Sequence, residues 1–416
     1  MQNVCALILA GGQGTRLSIL AEHRAKPAVP FGGIYRIVDF TLSNLMHSGI
    51  AHVGILTQYR PFALMSHVDN GADWDLNGIY RRARILPPFT GDVDNDWYKG
   101  TADAVYQNLD FVRKSAAREV LIVSGDHIYR MDFREMVQFH RERDAEVTVA
   151  TLEVPLEEAS RFGILATNAE GRVTSFVEKP QNPPSTQASM GIYLFGRDLL
   201  EQRTKEAVKS GGYDFGKNIF PGLVERNRVY AYPFRGYWRD VGTLESYWQA
   251  HMDIVEPGSG LDLRSWRVRT NLRYANVAAR PPARFADEAR IEASLFGRGA
   301  LIEGQVQRSI LGPGVHVAKG ALVRDSIVLH DVRVGAGSRI ERSIVDKWAT
   351  IGAGSQIGCG EALPNVETPE LLSCNLSVIG EYATVAERCR IGTNVFVYPS
   401  TSVPADETIA SGATWR

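Results

Sequence analysis

Val4-Cys5-Ala6-Leu7-Ile8-Leu9-Ala10-Gly11-Gly12-Gln13-Gly14-Thr15-Arg16-Leu17 is the stretch whose reading decides the fold of the first half of the chain. Its opening apolar run has the length and character of a short buried strand. Three glycines in the next four positions let the backbone turn tightly and bring bare N–H groups close to an anion. Arg16 adds a fixed cation for a phosphate. The loop lacks the Gly-Lys-Ser/Thr ending of a P-loop, and Leu17 stands where a dinucleotide fingerprint has its last glycine. It therefore reads as a phosphate cradle of another kind, with a plain tight turn as the alternative.

Outward from this stretch, strand-like and helix-like segments alternate over the first ~250 residues. Strands are expected over Cys5–Ala10, His52–Thr57, Val120–Ser124, Val147–Leu152, Val173–Val177 and Gly191–Phe195, and helices over Ile37–His47, Asp103–Lys114 and Phe133–Arg143. This pattern predicts an α/β fold, Rossmann-like, with a mostly parallel sheet. Ligands of such sheets sit beyond the carboxyl ends of the strands. The glycine loop, Ser124-Gly125-Asp126 and Glu178-Lys179-Pro180 each follow a strand, so they are expected at one edge.

After Pro257-Gly258-Ser259-Gly260 and Pro281-Pro282, which read as connector, the period changes. Ile379, Val385, Ile391, Val397, Val403 and Ile409 are spaced by six, as are Val328, Val334 and Ile340 and then Val345, Ile351 and Ile357. Ser309-Ile310, Ser326-Ile327 and Ser343-Ile344 recur every 17 residues. A triangular coil with one inward aliphatic per flat side produces this spacing, and it resembles the left-handed parallel β-helix of hexapeptide-repeat proteins. The expected domains are 1–255 (catalytic), 256–290 (linker) and 291–416 (β-helix). Acyltransferases built on such a coil use a histidine; His316 and His330 are its only histidines, and both are expected on outer faces.

Several other segments bear on chemistry. Asp126 after a strand is placed to hold Mg²⁺ against a nucleotide phosphate, since Mg²⁺ prefers oxygen ligands; a turn or N-cap aspartate is the alternative. Asp240, in Tyr237-Trp238-Arg239-Asp240-Val241-Gly242-Thr243, is a second carboxylate for the same ion. Lys179, beside Glu178 and before Pro180, offers a point charge to a sugar phosphate, against an ordinary surface Glu-Lys pair. Arg24-Ala25-Lys26 brings two more cations, or else a solvated basic turn. Thr101 or Asp103 would cap the helix that Gly100 precedes, Gly100 allows close approach to a flat base, and the Gln58 amide could read a base edge.

Bulk properties narrow the classes. A net charge of −1 creates no field favouring nucleic acid or anionic membrane. The four cysteines, Cys5, Cys359, Cys374 and Cys389, form no Cys-x-x-Cys pair and suggest neither zinc nor disulfides. No signal peptide or membrane span is expected, and a cytoplasmic location fits.

With these motifs assembled, the chain resembles the bacterial glucose-1-phosphate adenylyltransferases (ADP-glucose pyrophosphorylases). The resemblance is carried by residues 9–17, Arg24-Ala25-Lys26-Pro27-Ala28-Val29, Trp97-Tyr98-Lys99-Gly100-Thr101-Ala102-Asp103-Ala104-Val105, Ser124-Gly125-Asp126-His127-Ile128-Tyr129, Phe176-Val177-Glu178-Lys179-Pro180, Ala188-Ser189-Met190-Gly191-Ile192-Tyr193 and residues 237–243. It implies transfer of AMP from ATP to α-D-glucose 1-phosphate, giving ADP-glucose and pyrophosphate for glycogen synthesis. It further implies catalytic roles for Asp126, Arg16 and Lys26, and Mg²⁺ on Asp126 and Asp240. Nucleotide contacts are implied at Gly11, Gly12, Gly14, Thr15, Gln58, Tyr98, Gly100 and Thr101. Glucose 1-phosphate contacts are implied at Glu178, Lys179, Ser189 and Gly163. The family also suggests a homotetramer with a sugar-phosphate or other metabolite effector. His23 stands where enteric members carry an activation lysine, which puts a bis-phosphate sugar effector in doubt. Arg24 and Arg416 are cations that could serve an effector, with a solvated surface position the expectation for each. The rival readings are a transferase using UTP, dTTP or GTP, a non-catalytic regulatory subunit, and a bifunctional acyltransferase.

Overall fold

The computed structural model describes residue 1, residues 3–88 and residues 97–416. The chain forms two compact units, each assembled from three segments. Met1–Gly12, Phe40–Gly125 and Tyr129–Gly236 make the first, and Gln13–Asp39, Asp126–Ile128 and Tyr237–Arg416 the second.

The first unit is built on a nine-stranded sheet. Its main path runs Val173–Glu178, Gly163–Thr167, Gln187–Gly196, Glu119–Ser124, Val4–Leu9, His52–Leu56, Arg82–Leu86, while Val147–Glu153 pairs with both Gln187–Gly196 and Val229–Pro233. The strands Glu119–Ser124, Val4–Leu9, His52–Leu56 and Arg82–Leu86 are parallel, and Gln187–Gly196 runs against its neighbours. Val4 to Ile8 are buried, as a central parallel strand covered on both faces requires. Strands Arg82–Leu86, Gly163–Thr167 and Val229–Pro233 were not expected. The first has arginines at alternate positions of an edge strand, a composition that blunts edge pairing and masks the strand signal. The single helix expected over Asp103–Lys114 is two, Thr101–Gln107 and Leu109–Lys114. They part at Asn108, whose side-chain amide donates to the Ala104 carbonyl and the Tyr98 hydroxyl; such local bonds compete with helix continuation.

Register sets what meets at the sheet edge. Leu9 pairs with both Leu56 and Ser124, so the residues that follow these strands leave the sheet together. Tyr193 pairs with Ile122, which carries Ser189 of the antiparallel strand beyond that same edge. Ala188 pairs with Ile164, and Gly163 with Glu178. Gly163, Glu178 and Ser189 are thereby aligned on three adjacent strands.

The second unit contains the parallel β-helix, three seven-stranded parallel sheets that begin at Arg284–Phe285. All twelve residues of the six-spaced series are buried and form the coil's core. The 17-residue repeat has a specific cause. Ser309 Oγ accepts from Ser326 N, and Ser326 Oγ accepts from Ser343 N, each at 3.1 Å. Each buried hydroxyl thus links one turn to the next. Residues 360–376 contain no strand, and this excursion interrupts the spacing between Ile357 and Ile379 without breaking the stack, because Val345 pairs directly with Ile379 and Ile357 with Ile391.

Two histidines of this unit tie its segments together. His251 takes the Gly32 amide on Nε2 at 3.1 Å and its Nδ1 lies 2.8 Å from the Tyr247 carbonyl. His330 Nε2 donates to the Gly33 carbonyl at 3.1 Å. His330 is buried rather than on an open outer face, with Gly33 lying against it; His316 is part-exposed and pairs with Glu303 at 2.9 Å. Burial pushes the pKa of both His251 and His330 down to about 3. Unfolding restores a value of ~6.5, so the unfolded chain binds more protons in between. Stability is therefore expected to be flat from pH 8 to 7 and to fall from pH 6.5 to 5. A denaturation midpoint unchanged between pH 7 and 5 would contradict this. No helix among the described residues is long and apolar enough to cross a membrane.

Candidate active site

In the first unit, Ala10 N donates to the Leu56 carbonyl at 2.8 Å and Gly125 N to the Leu9 carbonyl at 3.0 Å, which anchors both loops to the sheet edge. A Cβ on Gly12 would meet nothing within 4 Å, and one on Gly11 would make only ordinary contacts, the nearest with Gln58 Cβ at 3.5 Å. Packing among the described residues does not demand these glycines, and it leaves open space beside Gly12. Gln58 is buried beside Gly11.

Gly100 precedes the helix Thr101–Gln107, and neither Thr101 nor Asp103 caps it. Its first amides are satisfied instead by the Tyr213 carbonyl, reached from Ala102 N at 2.8 Å. Asp103 accepts from Lys99 N at 2.9 Å. Thr101 Oγ1 donates to Asp214 Oδ2 at 3.2 Å and accepts from Phe215 N at 3.1 Å. Tyr98 lies in the hydrophobic core, its hydroxyl donating to the Leu86 carbonyl at 3.0 Å, and burial pushes its pKa up to about 12.

The Glu178, Gly163 and Ser189 group is close-built. Burial raises the Glu178 carboxyl above its ordinary pKa, and Asp214 adds to this against Lys179 and Lys217. Lys179 Nζ lies 3.5 Å from Glu178 Oε1, and the lysine side chain is 62% exposed, so it is available to a ligand. Its backbone is left-handed at φ 48°, an uncommon state for a non-glycine residue that marks a place to look for function. Ser189 sits at a register break in its strand, a device that re-aims side chains, and its Oγ is 3.4 Å from the Tyr193 hydroxyl.

In the second unit, Gly14 adopts φ 69° and opens the 3₁₀ turn Thr15–Ala21, placing Thr15 and Arg16 at its exposed start. A Cβ on Gly242 would lie 2.9 Å from both Arg16 Nη2 and Asp240 Oδ1, so these two groups flank that glycine. The strands His127–Tyr129 and Trp238–Asp240 form a two-stranded sheet, which sets Asp126 beside Asp240. Lys26 Nζ donates to Asp126 Oδ2 at 2.8 Å and to Asp240 Oδ1 at 2.9 Å. Burial opposes the lysine's charge, but the two carboxylates outweigh it and raise its pKa. For Asp240, burial is likewise outweighed by Lys26 and then His127, and its pKa falls.

Ligand atoms of Asp126, His127 and Asp240 lie within 4.8 Å of one another. Two carboxylates already gathered about one cationic nitrogen, with a ring nitrogen close by, form a donor set that fits a hard divalent cation. His127 packs edge-on against Trp238 at 5.0 Å.

Residues 5–256 match the nucleotidyl transferase family, and residues 281–365 match the GlmU-like C-terminal hexapeptide family. A glucose-1-phosphate adenylyltransferase of Thermotoga neapolitana is 47% identical over 403 residues, covering 95% of this chain and 94% of the relative. Proteins of the same name from Fervidobacterium nodosum and Acetivibrio thermocellus are 42% and 40% identical, each over more than nine-tenths of both chains. This chain belongs to the glucose-1-phosphate adenylyltransferase family. Nucleotidyltransferases of this kind use a divalent metal, in keeping with the donor set at Asp126 and Asp240.

One expectation about this family member is corrected. Arg24 is not a solvated surface cation: it is buried, its Nη2 bonded to Asp346 and 3.3 Å from Glu381. Lys347 pairs with Glu381 at 3.1 Å. Two adjacent corners of the coil supply the carboxylates, so nothing local in sequence announces the burial. Lys26 is likewise buried, not part of a solvated basic turn. Arg416 is exposed as expected and pairs with Glu367. The segment Tyr213-Asp214-Phe215-Gly216, which bonds to Thr101 and abuts Glu178, was not singled out from sequence; its signal was the glycine density of residues 211–216.

Proposed function

We propose that this protein forms ADP-glucose and pyrophosphate from ATP and α-D-glucose 1-phosphate. Identity of 40–48% over most of the chain to relatives bearing that enzyme's name carries the reading, and the Lys26–Asp126–Asp240 cluster supports it. An oxygen of the sugar phosphate attacks the α-phosphorus of ATP, and the bond from that phosphorus to the bridging oxygen of pyrophosphate breaks. The nucleophile is already an anion, so no activated serine or cysteine is needed, and catalysis is positioning plus charge neutralisation. Asp126 and Asp240 hold the divalent ion, read as Mg²⁺, which when bound neutralises phosphate charge. Arg16, exposed and with no ion pair among the described residues, stabilises the leaving pyrophosphate, and Lys26 serves the ATP phosphates. Gly11, Gly12, Gly14, Thr15, Gln58, Tyr98, Gly100 and Thr101 receive the nucleotide. Glu178, Lys179, Ser189 and Gly163 receive glucose 1-phosphate.

The deciding experiment offers ATP, UTP, dTTP, GTP and CTP in parallel, with Mg²⁺ and glucose 1-phosphate, and measures pyrophosphate. ATP far ahead supports the reading. Another nucleotide in front changes the substrate, and silence with all five, effectors included, favours a regulatory subunit. Lys179→Ala is expected chiefly to raise KM for glucose 1-phosphate with kcat little changed, the signature of lost ground-state binding; an unaltered KM removes Lys179 from the site.

The same reading places the enzyme in the cytoplasm at the head of glycogen synthesis, as a homotetramer under control of a metabolite effector. It divides the chain into a catalytic domain at 1–255, a linker at 256–290 and the β-helix at 291–416. Light scattering of the purified protein tests the tetramer.

A further inference from the structure

We propose that Gly216 is a positioning residue for the sugar-phosphate site: the space its missing side chain leaves is where the Glu178 carboxylate sits. The inference rests on the reading of Glu178 as a glucose 1-phosphate ligand. A Cβ on Gly216 would lie 2.3 Å from Glu178 Oε2, 2.8 Å from its Cδ and 3.2 Å from its Cγ. Those distances forbid both groups from keeping their places. Gly216 has no left-handed φ, so its backbone conformation does not call for glycine; the Glu178 carboxylate does.

The backbone at Gly216 cannot retreat to make room. It belongs to a turn of π-helix, Phe215–Ile219, whose N-cap Asp214 accepts from Lys217 N at 3.0 Å. Phe215 and Ile219 are buried in the core, and Phe215 N is held by Thr101. Single π turns recur at functional sites. The side chain of Glu178 is the part that can move, so an added methyl displaces the carboxylate at little cost to the fold. Gly163, the other glycine against Glu178 Oε2 at 2.9 Å, differs: its Cβ would strike Phe176 Cζ at 2.6 Å. That ring is stacked on Phe220 at 4.7 Å, so substitution there disturbs packing. Gly216 therefore isolates the position of the carboxylate.

The test compares Gly216→Ala, Glu178→Ala, Glu178→Asp and the double variant Gly216→Ala/Glu178→Asp, by steady-state kinetics for each substrate and by thermal melting. Gly216→Ala is expected to raise KM for glucose 1-phosphate about tenfold or more, roughly the effect of misplacing one polar contact, with KM for ATP and the melting temperature nearly unchanged. The shorter Glu178→Asp side chain withdraws from the added methyl, so the double variant is expected to bind the sugar phosphate better than Gly216→Ala alone. If Glu178→Ala raises KM for glucose 1-phosphate but Gly216→Ala does not, the inference is overturned while the reading of Glu178 stands. If Glu178→Ala leaves that KM unchanged, the reading itself fails. A Gly216→Ala variant that melts much lower, impairs both substrates alike and gains nothing from Glu178→Asp overturns the inference as well, since the glycine would then be a backbone requirement.

Discussion

Asp126→Asn is expected to lower kcat by ~10²–10⁴-fold, the range for losing one electrostatic group aimed at the transition state, while the melting temperature barely moves. Asn is isosteric and keeps a carbonyl that can accept from Lys26. Lys26 also retains Asp240 at 2.9 Å, and the Asp126 side chain is 28% exposed, so little folding energy rests on its charge. What disappears is one of the two carboxylates available to a divalent ion. Steady-state kinetics with saturating substrates, together with a melt, separate the effects. Turnover close to that of the unaltered enzyme would remove Asp126 from the mechanism, and a parallel loss of stability would make it a folding residue.

The largest expected change in stability is at Arg24, two residues before Lys26. Asp346→Ala strips Arg24 of its direct partner and leaves the guanidinium buried, with Glu381 at 3.3 Å as the remaining carboxylate, itself shared with Lys347. It also removes the acceptor of Lys347 N at 2.8 Å. Breaking a buried pair in this way costs about 3–5 kcal/mol, because one charge stays uncompensated in a low dielectric. In the unaltered protein burial disfavours the charged arginine, but Asp346 and Glu381 outweigh it and hold its pKa above the ordinary value; a guanidinium does not give up its proton inside proteins, so neutralisation offers the variant no escape. The denaturation midpoint is expected to drop sharply for Asp346→Ala and less for Asp346→Asn, which keeps a polar acceptor. Equal midpoints for Asp346→Ala and the unaltered protein would mean that water enters and solvates Arg24.

Lys26 lies two residues beyond Arg24, and Ala25 between them is fully buried and extended. One short segment therefore carries both the cation of the candidate active site and the cation sunk into the coil. In sequence the two look alike, as neighbouring basic residues before Pro27. Their different surroundings arise from partners that lie 100 and 214 residues from Lys26 and 322 residues from Arg24.

Local period and composition were enough to determine the fold class of each part, a mostly parallel α/β sheet and then a parallel β-helix, though not the sheet's strands Arg82–Leu86, Gly163–Thr167 and Val229–Pro233. The apolar run at residues 4–9 became the central strand because a parallel strand covered on both faces must be continuously hydrophobic. The six-spaced aliphatics became the coil's interior because each flat side buries one of them. Asp126, Asp240, Lys26, Glu178 and Lys179 were legible as candidates because phosphate and metal chemistry restricts which side chains serve; Asp126 and Lys179 follow strands, Glu178 and Asp240 end them, and Lys26 opens a short 3₁₀ turn. Three features were decided only by the tertiary structure: the bridging of Asp126 and Asp240 by Lys26, the burial of Arg24 against Asp346, and the seating of Glu178 against Gly216. Each depends on register and packing between segments far apart in the chain, and a residue's charge or size says nothing of which distant group will come to rest within 3 Å of it.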